Sequence, residues 1–135
     1  MKETKLYAKL RPNLMAWGEC DRVENVLGSG MSDVFYNIGG KTGWLETKVA
    51  KGDLIYFEKF QPNWISKHHR QGARIFVVVM DRLETIHFYP AGIILKAPRK
   101  PYEKWITVDM KDLPPVFNMP APYRSWRSVR EILTS

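Results

Sequence analysis

The run "ARIFVVVMD", residues 73–81, is the feature that most constrains the fold of this chain. It is almost wholly apolar, as is typical of a central strand that is buried on both faces of a sheet covered by helices. Turn residues and helical patterns flank it. The run therefore predicts an α/β protein, and 135 residues are enough for one domain with a substantial core.

Apolar periodicity and turn residues predict the other elements. Leucines at positions 6, 10 and 14 and Trp17 recur at helical spacing, which predicts an amphipathic helix over 3–17 that is kinked or divided at Pro12. The stretch 53–60 fits no pattern clearly. The remaining strands are predicted over 20–28, 33–38, 43–50 and 85–91, and the remaining helices over 62–72 and 125–133. The resulting order, α-β-β-β-α-β-β plus a tail, predicts a mixed β-sheet flanked by helices.

The character of the chain changes after residue 95. Prolines interrupt residues 96–135, and basic residues recur between them. A last helix is predicted near the end of this segment. We expect residues 1–95 to form the core and 96–135 to form a proline-rich, basic C-terminal extension packed on it, so that the whole is a single domain.

Composition limits the partners that this chain suits. Its 21 Lys and Arg residues against 14 Asp and Glu residues give a net charge of +7, which favours nucleic acid first and an anionic membrane surface second. A basic protein without a polyanionic partner is the third possibility.

The one cysteine, Cys20, is expected to be a small buried thiol. No apolar stretch reaches the length of a membrane span and no signal peptide is recognisable, so we expect an intracellular protein without a membrane partner.

The stretch "SDVFYNIGGKTGWLETKV", residues 32–49, reads as a hairpin that carries unexpected charges. Residues two apart share a face of a strand, so Glu46 and Lys48 point the same way, and the hairpin brings Asp33 beside them. Two neighbouring carboxylates recruit a cation, and Mg²⁺ prefers oxygen ligands. Asp33, Glu46 and the carbonyl of Thr47 are the candidate ligands. Lys48 is placed to orient or activate a water, which indicates phosphodiester hydrolysis.

These charged residues, and the polar residues Glu3 and Gln61 elsewhere in the chain, also have purely structural interpretations. Glu46 and Lys48 are compatible with a solvated strand face, and Asp33 with a turn cap after the glycine-rich loop. Glu3 is compatible with a helix N-terminus, where the dipole favours an acid. Gln61 is compatible with a cap on the helix that Pro62 begins.

The spacing Asp33…Glu46-Thr47-Lys48 resembles the signature of the PD-(D/E)xK nucleases, although Ser32 stands where proline is usual. In that family the first helix also carries an acid that points at the metal, and Glu3 matches it best, with Glu19 and Glu24 as weaker matches. A glutamine often begins the helix after the Glu-x-Lys motif, and Gln61 fits. Residues 3–91 as a whole resemble archaeal and phage Holliday junction resolvases and stand-alone VRR-NUC domains.

This resemblance implies a restriction-endonuclease-like core and a Mg²⁺-dependent endonuclease, in which Mn²⁺ can substitute. The substrate that it implies first is a branched or four-way DNA junction, cut by a homodimer in recombination or replication. A VRR-NUC-like nuclease that acts on flaps is one alternative, and a DNA-binding module that has lost catalysis is another. An RNA substrate stays open. The expected location is the cytoplasm, that of the host cell if a phage encodes the protein.

Basic residues predict where nucleic acid would lie. The tandem His68-His69 does not suit one zinc ion, because adjacent helical residues point about 100° apart. We interpret this turn as part of a basic patch. Aromatic residues recur beside the basic ones, which suits a nucleic-acid surface, although core or dimer contacts would also explain them. The predicted nucleic-acid-binding residues are Ser32, Lys51, Lys59, Lys67, His68 and Arg70.

Overall fold

The computed structural model describes residues 3–23 and 32–135 as four helices, nine strands and one 3-10 turn. The predicted strand over 20–28 begins one residue earlier and ends at Arg22, and residues 24–28 of that prediction lie outside the described residues. The elements are α1 (Glu3–Trp17), β1 (Glu19–Arg22), β2 (Val34–Ile38), β3 (Lys41–Val49), β4 (Leu54–Glu58), α2 (Gln61–Arg70), β5 (Ile75–Met80), β6 (Ile86–Pro90), α3 (Ala91–Lys96), β7 (Lys100–Tyr102), β8 (Trp105–Asp109), the turn Met110–Asp112, β9 (Asn118–Met119) and α4 (Trp126–Thr134).

Six strands form a mixed sheet in the order β1-β2-β3-β5-β6-β9. The β3–β5 pair is parallel and every other pair in this sheet is antiparallel. A parallel pair needs a crossover, and here β4 and α2 supply it. The predicted mixed sheet flanked by helices is therefore confirmed.

The stretch 53–60, which fitted no sequence pattern, contains β4 and leaves the main sheet. It pairs with β8, which pairs in turn with β7, so that a second, three-stranded antiparallel sheet forms. Its partner strands come from beyond residue 96, and local sequence therefore carried little sign of them. The proposed division between residues 95 and 96 stays a prediction.

Strand β5 is buried on both faces, as its apolar run predicts. Phe76, Val78 and Met80 pack against α1 and α4, together with the helix leucines at positions 6, 10 and 14. Val77 and Val79 belong to the cluster on the opposite face, which α2, α3 and the inner side of the small sheet cover. The predicted division of α1 at Pro12 is absent, because the helix runs through this exposed residue.

Tyr36 connects the sheet to the C-terminal helix. Its ring is fully buried and its hydroxyl donates a hydrogen bond of 2.7 Å to the carbonyl of Leu133 on α4. The ring lies across Gly43 on the neighbouring strand, where an added Cβ would stand 2.3 Å from the Tyr36 hydroxyl. Glycine is required at position 43 because the tyrosine occupies the space of a side chain.

Replacement of Gly43 by alanine is expected to lower the free energy of unfolding by about 1–3 kcal/mol, the usual cost of overpacking a core. Tyr36 cannot move aside without losing its bond to α4. Urea denaturation at equilibrium measures the change. Thr42→Ala, at the exposed neighbouring position of β3, should cost less than about 1 kcal/mol. Equal costs for the two substitutions would contradict this interpretation.

Candidate active site

The β2–β3 hairpin brings Asp33 to the middle of β3. Val34 pairs with Leu45, so that Asp33, one residue before β2, lies beside Glu46 and Thr47. The Asp33 carboxylate accepts a hydrogen bond of 2.9 Å from the backbone N–H of Thr47 and a second from the Thr47 hydroxyl. These two bonds hold the Asp33 carboxylate in one orientation. The register of the two strands agrees with the predicted hairpin.

Glu46 and Lys48 project from β3 toward α2, where Gln61 meets both of them. The Gln61 amide nitrogen donates to Glu46 Oε2 at 3.0 Å, and its amide oxygen accepts from Lys48 Nζ at 2.8 Å. The same amide oxygen accepts from the backbone N–H of Glu58 at 2.8 Å. Gln61 is the first residue of α2, so the end of β4 and the start of this helix together position the network.

Lys48 is an ammonium group that is almost completely removed from water, with 5% of its surface exposed. A buried charge is tolerated only when its surroundings compensate it. Its Nζ lies 3.5 Å from Glu46 Oε2 and 5.1 Å from the centre of the Phe57 ring. A carboxylate, an amide oxygen and an aromatic face therefore stabilise Lys48 in one place.

Glu46 is buried, and its second oxygen, Oε1, has no hydrogen-bond partner within residues 3–23 and 32–135. Burial raises the pKa of this carboxyl to about 8; the Lys48 ammonium opposes this shift, and repulsion from Asp33 and Glu3 adds to it. Buried polar atoms almost always have partners. An oxygen left over in this position is available to bind a ligand.

Glu3 lies at the first turn of α1 and is half-buried. Burial raises its pKa; the Lys48 ammonium opposes this effect, and the Asp33 carboxylate adds to it. Asp33, Glu46 and Lys48 therefore share one electrostatic environment with Glu3. The structure brings together all five predicted catalytic residues, namely Asp33, Glu46, Lys48, Gln61 and Glu3.

Three carboxylates share this environment, but in the described ranges 3–23 and 32–135 no three His, Cys, Asp or Glu side chains converge closely enough to form a metal cluster on their own. Asp33 and Glu46 remain the candidate ligands for a divalent cation. The unpartnered Glu46 Oε1 fits such an ion, and Mg²⁺ commonly keeps several waters in its shell. Thr47 is fully buried and its hydroxyl donates to Asp33. The role of its carbonyl as the third metal ligand stays a prediction.

Of the predicted nucleic-acid-binding residues, Lys67, His68 and Arg70 lie in the last turn of α2, and Ser32, Lys51 and Lys59 lie elsewhere along the chain. Ser32 is fully buried and its hydroxyl has no partner among the described residues. Lys51 lies over the ring of Tyr56, while His68 packs on Trp64 with ring centres 4.2 Å apart. The remaining three, Lys59, Lys67 and Arg70, are exposed along the start and the end of α2. A role for each of them in binding nucleic acid stays a prediction.

Sequence reasoning missed two contributors to this site. Phe57 supplies the aromatic face beneath Lys48, and the Glu58 backbone N–H orients the Gln61 amide. Both belong to β4, for which no strand was predicted. The short apolar run before Glu58, "LIYF", was the available signal.

The buried Glu46 carboxyl should make the stability of the metal-free protein depend on pH. Because its folded pKa is raised above the usual 4.5 to about 8, its stabilising contribution is complete below pH 4.5 and is lost as the pH rises through about 8. We expect the melting temperature in EDTA to fall between pH 5 and 9, and Glu46→Gln to weaken this dependence. Identical pH profiles for the two proteins would show that Glu46 does not titrate in this way.

Comparisons with known proteins show the fold. No protein-family model matches this chain, and no curated protein sequence matches it. Among solved structures it is similar to Hjc of Archaeoglobus fulgidus, described as a Holliday junction resolvase from an archaeal hyperthermophile. The TM-score is 0.56 and the identity 18%, over 88% of each chain. The predicted restriction-endonuclease-like core is therefore confirmed as the fold of this protein.

Proposed function

We propose that this protein is a divalent-metal-dependent, structure-specific DNA endonuclease that hydrolyses phosphodiester bonds and resolves Holliday junctions. The observation that carries the proposal is the buried network of Glu46, Lys48 and Gln61 beside Asp33. A core with only a structural task would be more stable with apolar residues at these positions. The resemblance to a protein described as a resolvase supports the choice of substrate.

In the proposed reaction, different side chains bind the metal ion, orient the water and position these groups. Asp33 and Glu46 would hold Mg²⁺ or Mn²⁺, with the Thr47 carbonyl and Glu3 as further candidate ligands, and the ion would stabilise charge on the phosphate and lower the pKa of a bound water. Lys48 orients the attacking water. Gln61 keeps Lys48 and Glu46 in position through its two ends. The water oxygen forms a bond to phosphorus, the bond to the 3′ oxygen breaks, and this oxygen takes up a proton, which leaves a 5′-phosphate.

Charge and symmetry support the choice of a branched DNA partner. The net charge of +7 favours a polyanion. Resolution of a four-way junction requires two symmetric cuts, so we propose a two-fold homodimer with one site in each subunit.

None of the helices within the described residues is long and apolar enough to cross a membrane. The proposed location is the cytoplasm, that of the host if the protein comes from a phage.

Cleavage of branched DNA tests the activity. With Mg²⁺ or Mn²⁺ we expect paired nicks on a four-way junction. Glu46→Gln and Asp33→Asn should each reduce the rate by about 100-fold or more, because each removes a charge that acts on the transition state. Lys48→Met should have a comparable effect. The measurement is the single-turnover rate on labelled junction, flap, duplex and single-stranded substrates.

A matched control for this experiment is Asp21→Asn, which removes an exposed acid from β1 and should leave the rate unchanged. A preference for flaps by a monomeric protein would replace the resolvase proposal with that of a flap nuclease. DNA binding without cleavage of any substrate would leave a non-catalytic binding module.

Metal binding can be measured without activity. A cation that binds only the folded state raises the melting temperature in proportion to the logarithm of its concentration. We expect Mn²⁺ to stabilise the wild-type protein, and Asp33→Asn and Glu46→Gln to abolish this shift while Asp21→Asn retains it. Equal shifts in all four proteins would place the cation elsewhere.

A further inference from the structure

The small sheet of β4, β8 and β7 has one packed face and one open face. Ile55, Phe57 and Val108 point inward and belong to the core between this sheet and the main one. Side chains alternate along a strand, so Tyr56 and its neighbours point outward. The register pairs Glu58 with Trp105 and Trp105 with Tyr102, which places these three on the outer face as well.

Three aromatic rings on this outer face form one cluster. The Tyr56 ring lies 6.0 Å from that of Tyr102 at 87° and 6.3 Å from that of Trp105 at 84°. Edge-to-face contacts of this kind hold rings in a defined arrangement. The Thr107 hydroxyl also donates to the Lys100 carbonyl at 2.9 Å and fixes β7 against β8. We call Tyr56, Tyr102 and Trp105 the aromatic face.

The aromatic face is not part of the protein's core. Among residues 3–23 and 32–135, neither hydrophobic cluster includes any of its three residues, although half-buried tryptophans such as Trp44 and Trp64 do pack against the inner cluster. Tyr102 is 54% exposed. Aromatic rings that lie at the surface, outside the hydrophobic core, are available to contact a partner.

Lysines lie over two of the rings of this surface. Lys51 Nζ lies 5.2 Å from the centre of the Tyr56 ring, and Lys104 Nζ lies 5.3 Å from that of Trp105. Residues 96–104, which lead into and through β7, carry four basic residues and one acid. Glu58 and Asp109 mark the two ends of the face. Aromatic rings bordered by cations match the stacked bases and phosphates of a nucleic-acid strand.

The aromatic face adjoins the candidate active site. Trp105 pairs directly with Glu58, whose backbone N–H donates to Gln61 at 2.8 Å. Gln61 in turn contacts Glu46 and Lys48. The candidate site and the aromatic face therefore meet at the Glu58 end of β4, on opposite sides of the small sheet.

We propose that the aromatic face binds unpaired bases of a DNA strand by stacking on the exposed ring of Tyr102, which Tyr56 holds in place, while Lys51 and Lys104 contact the phosphates. It extends the proposed nuclease function with a binding site for single-stranded DNA beside the reaction centre. The geometry and the chemistry of the face support it without any assumption about catalysis.

Binding of a short fluorescein-labelled oligothymidylate, measured by fluorescence anisotropy in EDTA at fixed salt, tests the proposal. Tyr102→Ala and Tyr102→Leu should each weaken binding about tenfold, because both remove a stacking ring. Tyr102→Phe keeps the ring and should bind like the wild type. Leu83→Ala, which removes a side chain that is 76% exposed on the turn between β5 and β6, should also have no effect.

Junction cleavage by the same variants separates this proposal from the proposed function. If Tyr102→Ala binds the oligonucleotide as well as the wild type, the aromatic face does not stack bases, and a protein partner becomes the better interpretation, whatever the cleavage result. If Tyr102→Leu binds like the wild type, apolar area and not stacking is responsible, and the proposal is equally overturned. Loss of binding in Ala and Leu but not Phe supports it even if no substrate is cut.

Discussion

Strand β3 must bury charged side chains in the interior of a sheet, and the arrangement around it follows from that constraint. It lies between β2 and β5, so strands pair with both of its edges. Glu46 and Lys48 are nonetheless placed on it, and both are almost completely buried. An isolated buried charge is strongly unfavourable, and surrounding groups must therefore compensate it. The partners of β3 come from β2, β4 and α2.

Each partner has a distinct part in this compensation. Asp33 is fixed by Thr47 at the head of β2, and Gln61 joins Glu46 to Lys48 from the start of α2. Phe57 closes the site from β4. Of the acceptors in this network, Glu46 Oε1 is left without a partner among the described residues. A network that is satisfied everywhere except at one inward-facing oxygen is expected at a place where a ligand completes it.

The crossover between the two parallel strands serves both proposals. Because β3 and β5 are parallel, the chain must leave the sheet and return, and β4 lies on that path. The inner side of β4 provides Phe57 to the site, and its outer side provides Tyr56 to the aromatic face. Glu58 at its end contacts Gln61 through the backbone. One short strand thus couples the proposed reaction centre to the surface proposed to bind unpaired bases.

Local sequence determined the elements that have strong periodicity of their own. The leucine spacing of α1, the apolar run of β5 and the glycine turn of the β2–β3 hairpin each predicted an element, and the hairpin register placed Asp33 beside Glu46. Only the tertiary structure decided which groups compensate Lys48 and where β4 lies. Those contacts join residues far apart in the chain, such as Glu58 and Trp105. Such pairings depend on which surfaces can be buried together, and no local pattern of residues encodes that choice.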